Sequence, residues 1–398
     1  MSKLLIGICS LVYLLDGLIH TLLGPLAPQI AASLGLTNVQ LGPIFSANLL
    51  GQCIGLVVVP LVAHRASQRT VVLLALLGFG LSQAATALAQ GATSLILWRL
   101  VTGFFLGGCL PACLALVTAA ATPARRGFAI MVLFTGYGLG ATLAGVVATA
   151  FAELGGWRMA MVAVGAACLV TAAVGAMYLR EPATAGDAHG LADAQTGNNP
   201  MRILAPRYLL GTLMLWLLFI SMLTVSYCLL SWLPTLLVEV GRDASLAALS
   251  VSIFSLGGII SALGVGLLID RWGAMRVLVS FLVVATVLLF IIGQVLASAP
   301  ATTLMILLAV CGFFFLGAYG GINVVLATFY PAALRATGIG WSKSVGRIGT
   351  LVAPVLIGTS LAAGIEETAI MSLFALPAAL AVVSLLVIAR AQANTPAT

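Results

Sequence analysis

Charge is what this sequence has least of. Of its 398 residues only 7% are Asp, Glu, Lys or Arg, against about a quarter in a soluble domain. With 62% hydrophobic residues and a mean hydropathy of +1.20, a soluble globular protein is excluded and an integral membrane protein is indicated. Only three histidines occur (His20, His64 and His189), on separate segments, and there is no HExxH and no acid pair on one span. A membrane-embedded enzyme or a metal centre therefore lacks its residues, and no catalytic residue, metal or cofactor is expected. The seven cysteines all fall in apolar runs without a CxxC spacing, so they read as small packing residues rather than disulfides or ligands. A basic tract is missing too: the net charge of +7 is spread over short loops, which argues against nucleic acid. The first apolar run is too long for a signal peptide and has no small-residue cleavage site, so it is expected to remain as a helix. A sensor would need a sizeable soluble signalling domain, for which the sequence has no stretch.

What is present is a series of apolar runs, each near the ~20 residues that cross a bilayer. Twelve spans are predicted, at 4–27, 40–63, 70–90, 94–120, 127–152, 157–179, 207–233, 245–270, 276–297, 302–330, 337–362 and 367–389. The fold class is therefore an all-α membrane protein. Twelve basic residues lie on one side of these spans: Lys3, Arg65, Arg69, Arg125, Arg126, Arg180, Arg202, Arg207, Arg271, Arg276, Arg335 and Arg390. Two, Arg158 and Arg242, lie on the other, and Arg99, Lys343 and Arg347 fall within spans. That asymmetry places both termini in the cytoplasm.

A polar stretch rich in Ala, Gly, Asp, Asn and Pro follows the sixth span and reads as a flexible linker. It divides the chain into a six-helix half at 1–180, a linker at 181–206 and a six-helix half at 207–398. The halves echo each other. Ala63-His64-Arg65 with Arg69 corresponds to Ile269-Asp270-Arg271 with Arg276, and Ala124-Arg125-Arg126-Gly127 to Leu334-Arg335-Ala336-Thr337-Gly338. Such repeats place a substrate site near the midplane at the repeat interface.

Asp16 is an acid near the middle of the first span. An ionised carboxylate there costs roughly 3 kcal/mol on insertion scales, so it is expected to face a partner, a cavity or a proton path. His20 lies one turn further on the same face. Arg99 and Arg347 are cations inside spans four and eleven. Arg347 lies about ten residues into its helix, roughly 15 Å deep at 1.5 Å per residue, a depth comparable with that of Asp16. Guanidinium forks suit a carboxylate substrate. Lys343, a turn nearer the span end, reads as a snorkelling residue or second cation. Candidate aromatic or polar wall residues are Phe134, Tyr137, Tyr227, Trp232, Phe315, Tyr319, Asn323 and Trp341, while Trp157 and Trp232, near span ends, fit an interfacial belt. Gly103 and Gly107 allow close helix packing.

Taken together, these segments resemble the major facilitator superfamily over nearly the whole chain. Gly266-Leu-Leu-Ile-Asp270-Arg271-Trp-Gly273 followed by Arg276 resembles its loop 8–9 signature. The resemblance implies gating by Asp270, Arg271, Gly273 and Arg276, and by Arg65 and Arg335 in the matching loops. In the first-half loop His64 replaces the usual Asp and the glycines are missing. Trp98-Arg99-Leu-Val-Thr-Gly103 resembles the family's helix-four pattern, implying a coupling or substrate role for Arg99. Gly136, Gly138, Gly140 and Gly145 resemble its glycine-rich fifth helix.

More narrowly the chain is similar to the aromatic acid:proton symporters. This rests on Leu15-Asp16-Gly17 with Gly24-Pro25-Leu26-Ala27-Pro28, on Ser231-Trp-Leu-Pro234-Thr, on Tyr330-Pro331 through Gly338-Ile-Gly340, and on Ser344-Val-Gly346-Arg347-Ile-Gly349. That family's second helix-one acid is Ile19 here, and His20 is the candidate substitute. The resemblance implies proton-coupled uptake of a small aromatic carboxylate by alternating access, in a monomer of the bacterial inner membrane. Asp16 and His20 would couple the proton, and Arg347, Arg99, Tyr137, Tyr227, Tyr319 and Asn323 would bind the anionic substrate. An exporter of drugs or metabolites and an importer of a non-aromatic organic anion remain the alternatives.

Overall fold

The computed structural model describes residues 2–62, 66–122, 126–179 and 203–393. His64, Arg65, Ala124, Arg125, His189 and residues 180–202 of the linker lie outside the described residues.

Backbone polar groups have no water to bond in hydrocarbon, so apolar spans become helices. Among the described residues the first half has six α-helices: α1 Ser2–Leu34, α2 Asn38–Val62, α3 Gln68–Ala85, α4 Ala92–Ala120, α5 Arg126–Ala152 and α6 Gly156–Tyr178. The second half has α7 Pro206–Glu239, α8 Ala244–Trp272, α9 Ala274–Val295, α10 Ala301–Phe329, α11 Ala332–Ala362, α12 Glu367–Leu373 and α13 Ala375–Ala393. Among the described residues twelve segments are long and apolar enough to cross a membrane, matching the twelve expected from the sequence. Two helices run further than expected: α1 continues to Leu34 through Pro25 and Pro28, and α7 to Glu239 through Pro234. The last span is broken instead. Pro377 has no N–H to donate and its ring crowds the carbonyl of residue 373, and α12 ends at that residue.

The described residues group into two compact units. One holds residues through 179 with Ala247–Ser252, and the other holds the rest from 203. Within the first, α1 packs along α5, α2 along α4, and α3 against α4 and α6. Within the second, α7 packs against α11 and α13, and α9 against α10 and α13. Small residues let these helices touch backbone to backbone, as membrane helices do where hydrophobic burial no longer discriminates. A Cβ on Gly103 or Gly107 of α4 would overlap the α2 backbone at Asn48 or Gln52, and one on Gly136 or Gly140 would overlap α1 at Ser10 or Leu14. The second unit repeats the device. Gly257 of α8 and Gly312 of α10 are blocked by Ala309 and Phe254, and Gly346 and Gly349 of α11 by α7 at Phe219 and Ile220.

The two arginines on the sparsely basic side serve helix ends. Arg158 donates to the carbonyls of Ala87 and Ala89 (3.0 Å to the latter), just beyond α3. Arg242 donates to Leu296 and Ala299 (2.9 and 2.7 Å), just beyond α9. Each guanidinium thus ties down two carbonyls of the connection that follows a helix end.

Candidate functional site

In the first unit the site is built on one face of α1. Asp16 is 6% exposed and His20 half-buried, and their spacing stacks them one above the other. Gly17 lies between them, and a Cβ there would overlap the backbone of Tyr137. This close approach brings Tyr137 of α5 beside the histidine, with ring centroids 6.2 Å apart and planes inclined by 51°. From α2, Asn48 Nδ2 donates to His20 Nδ1 at 3.3 Å. Asn48 is 4% exposed and is pressed toward α1 by the glycine contact that α4 makes behind it. One turn nearer the N-terminus the buried Tyr13 hydroxyl has Asp16 and the thiols of Cys109 and Cys113 within electrostatic reach, while the edge of its ring meets Phe134 at 5.6 Å. This face can hold a proton on an acid, an imidazole or both, in a setting that penalises bare charge.

The second unit assembles a different set. Tyr227 of α7, Tyr319 of α10 and Arg347 of α11 converge, with the Tyr319 hydroxyl in electrostatic range of the other two. All three side chains are half-buried. A guanidinium with one phenol in range, and a second phenol in range of the first, offers a fork for a carboxylate and hydroxyls that both donate and accept.

The remaining sequence candidates are spread more widely. Arg99 is fully buried and turned toward α3, donating to Gln83 Oε1 and, at 3.3 Å, to Thr86 Oγ1. Asn323 is exposed and bonds the Gly320 carbonyl of its own helix at 3.1 Å. Lys343 is exposed, and Trp341, also exposed, stacks on Trp216 at 5.9 Å. Asp270, Arg271, Gly273, Arg276 and Arg335 are exposed. Gly273 has φ +85°, the left-handed region that lets the chain end α8 and begin α9 within one residue. The interfacial-belt expectation fails for two tryptophans. Trp232 is fully buried, and Trp157 is buried with its Nε1 donating to Ser33 Oγ at 2.7 Å, because each packs inside its own unit.

The profile of the Major Facilitator Superfamily matches residues 9–354 and 238–397. The chain belongs to the major facilitator superfamily. It is 29% identical over 421 residues to a gallate transporter of Pseudomonas putida, covering 99% of this chain and 93% of that protein. It is 34% identical over 371 residues to the 3-(3-hydroxy-phenyl)propionate transporter of Escherichia coli, covering 93% and 89%. Among solved structures, a D-xylose-proton symporter superposes with a TM-score of 0.80 at 15% identity over 96% of each chain, a likeness of fold alone. Membership makes this a multi-pass membrane transporter, not an enzyme, built on the facilitator fold of two pseudo-symmetric six-helix halves. The polar residues that sequence reading passed over are Tyr13, Thr21, Asn48, Gln52 and Gln83, all buried. A uniform signal was available: polar side chains inside an apolar span face protein far more often than lipid.

Proposed function

We propose that this transporter takes up a small aromatic carboxylate together with protons, by alternating access. The observation that carries this reading is Tyr319 in electrostatic range of both Arg347 and Tyr227, in a chain with relatives named for gallate and 3-(3-hydroxy-phenyl)propionate. Arg347 binds the carboxylate, and the two phenols meet the ring and its hydroxyls. Asn323 adds a polar contact for the substrate, and Tyr137 of the first unit an aromatic one. Arg99, held by neutral groups of α3, supplies a fixed buried cation that biases the first unit toward anions. Asp16 carries the proton and His20 stands in for the second helix-one acid found in the aromatic acid symporters. Asp270, Arg271, Gly273 and Arg276, with Arg65 and Arg335, latch the cytoplasmic side.

The functional organisation follows the sequence: halves at 1–180 and 207–398, a linker at 181–206, both termini in the cytoplasm, and a monomer in a bacterial inner membrane. The twelve-to-two distribution of basic residues supports that orientation.

The test is uptake of radiolabelled 4-hydroxybenzoate, 3-hydroxyphenylpropionate and benzoate into proteoliposomes, with and without an inward proton gradient. Accumulation of at least one, dependent on the gradient, is expected. Folded protein that accumulates none of them would overturn the aromatic-acid reading and return the choice to an exporter or a carrier of non-aromatic anions.

A further inference from the structure

Asn48 is a buried amide on α2 whose nitrogen donates to His20 Nδ1 at 3.3 Å, while its oxygen, also buried, has no hydrogen-bond partner. An amide nitrogen only donates, so Nδ1 must accept. In this arrangement His20 is neutral and carries its proton on Nε2. A protonated imidazole needs the opposite, because its Nδ1–H must donate. Turning the amide half a revolution about its last torsion brings Oδ1 to the ring and takes Nδ2 to the place where Oδ1 was. No hydrogen bond to Oδ1 is broken by that turn, since none is made. The backbone of Asn48 does not move either, for the carbonyl is pinned against Gly103 of α4.

We propose that Asn48 is the positioning residue of His20: its amide turns over with the charge of the imidazole, so that both protonation states keep one hydrogen bond. This rests on the reading that the Asp16–His20 face handles the proton. Two titratable groups share that face, Asp16 on α1 and Tyr137 on α5. Asp16 has Tyr13 and Cys168 of α6 in electrostatic range, and Tyr13 in turn has Cys9 and the α4 thiols Cys109 and Cys113. From α2 comes Asn48, which has no charge of its own. An ionised aspartate in its place would only accept and would favour the imidazolium. A leucine would serve neither state. A threonine hydroxyl both donates and accepts.

The experiment uses the full chain in detergent, with His64→Gln and His189→Gln leaving His20 as the one histidine, labelled on its ring nitrogens and titrated by NMR. The neutral ring is expected as the Nε2–H tautomer. Asn48→Asp should raise the His20 midpoint by about one to three pH units, the usual effect of an adjacent opposite charge. Asn48→Leu should lower it and erase the tautomer preference. Asn48→Thr should keep both close to native, which separates hydrogen bonding from loss of packing. An Nδ1–H tautomer in the native protein overturns the proposal, as do Asp and Leu variants that titrate like the native chain. Should Asp16→Asn still drive accumulation on a pH gradient while these shifts occur as expected, the proton-coupling reading fails and the assignment of Asn48 stands.

Discussion

The two units share a packing plan and differ in what they bury. In the first, α1 sets an acid and an imidazole beside a buried amide and a phenol. In the second, three helices bring a guanidinium and two phenols together. An imidazole, and a carboxyl when buried, can change charge within reach of physiological pH, whereas an arginine does not. A duplicated scaffold thus carries an acid–imidazole face on one copy and an arginine–phenol set on the other. The difference teaches that pseudo-symmetry constrains where helices touch and leaves free what their buried polar positions do.

The comparison breaks first at Asp16. Asp16→Asn is expected to abolish accumulation driven by a pH gradient while leaving the protein folded, as read by proteoliposome uptake beside a thermal melt. Normal accumulation would remove Asp16 from the mechanism and with it the titrating role of the first unit. Arg347→Ala tests the other side. Losing a charge-assisted fork of about 2–3 kcal/mol should raise the half-saturating substrate concentration by about 30–150-fold. Unchanged kinetics would move the anion site elsewhere.

Smaller effects sharpen the contrast. Gly140→Val drives a side chain into the Leu14 carbonyl and should cost about 3 kcal/mol of stability, seen as a lowered melting temperature. Tyr319→Phe, losing one phenolic hydrogen bond of about 1 kcal/mol, should raise the half-saturating concentration about fivefold for a hydroxylated substrate and less for benzoate. Gly264→Ala on α8, where a Cβ meets open space, should leave stability within about 0.5 kcal/mol. A large loss there would show that glycine matters in these helices for more than close contact.

Much of this molecule can be read from its residues because the bilayer simplifies the rules. Spans follow from hydropathy and length, and Asp16 with His20 from the expense of polarity at depth and the helical repeat. The close packing of Gly103 and Gly107 follows from small-residue spacing. Reading fails where the answer depends on the rotation of one helix against another. Asn48 lies 28 positions from His20, and only the register of α2 on α1 makes them partners. Arg99 is an intramembrane cation by sequence, yet the rotation of α4 points it at Gln83 of α3. Trp157 and Trp232 are near span ends, where an aromatic belt is the ordinary outcome, but burial depends on which neighbour covers them.

The glycine seams also have a mechanical meaning. Where α1 meets α5 and α2 meets α4 through backbone atoms, no layer of side chains lies between them to change rotamer and absorb a push. Such a bundle is stiff, closer to a beam than to a cushion. A push on α1 or α2 would therefore be passed to its paired helix rather than absorbed between them, so that the far ends of both helices move together.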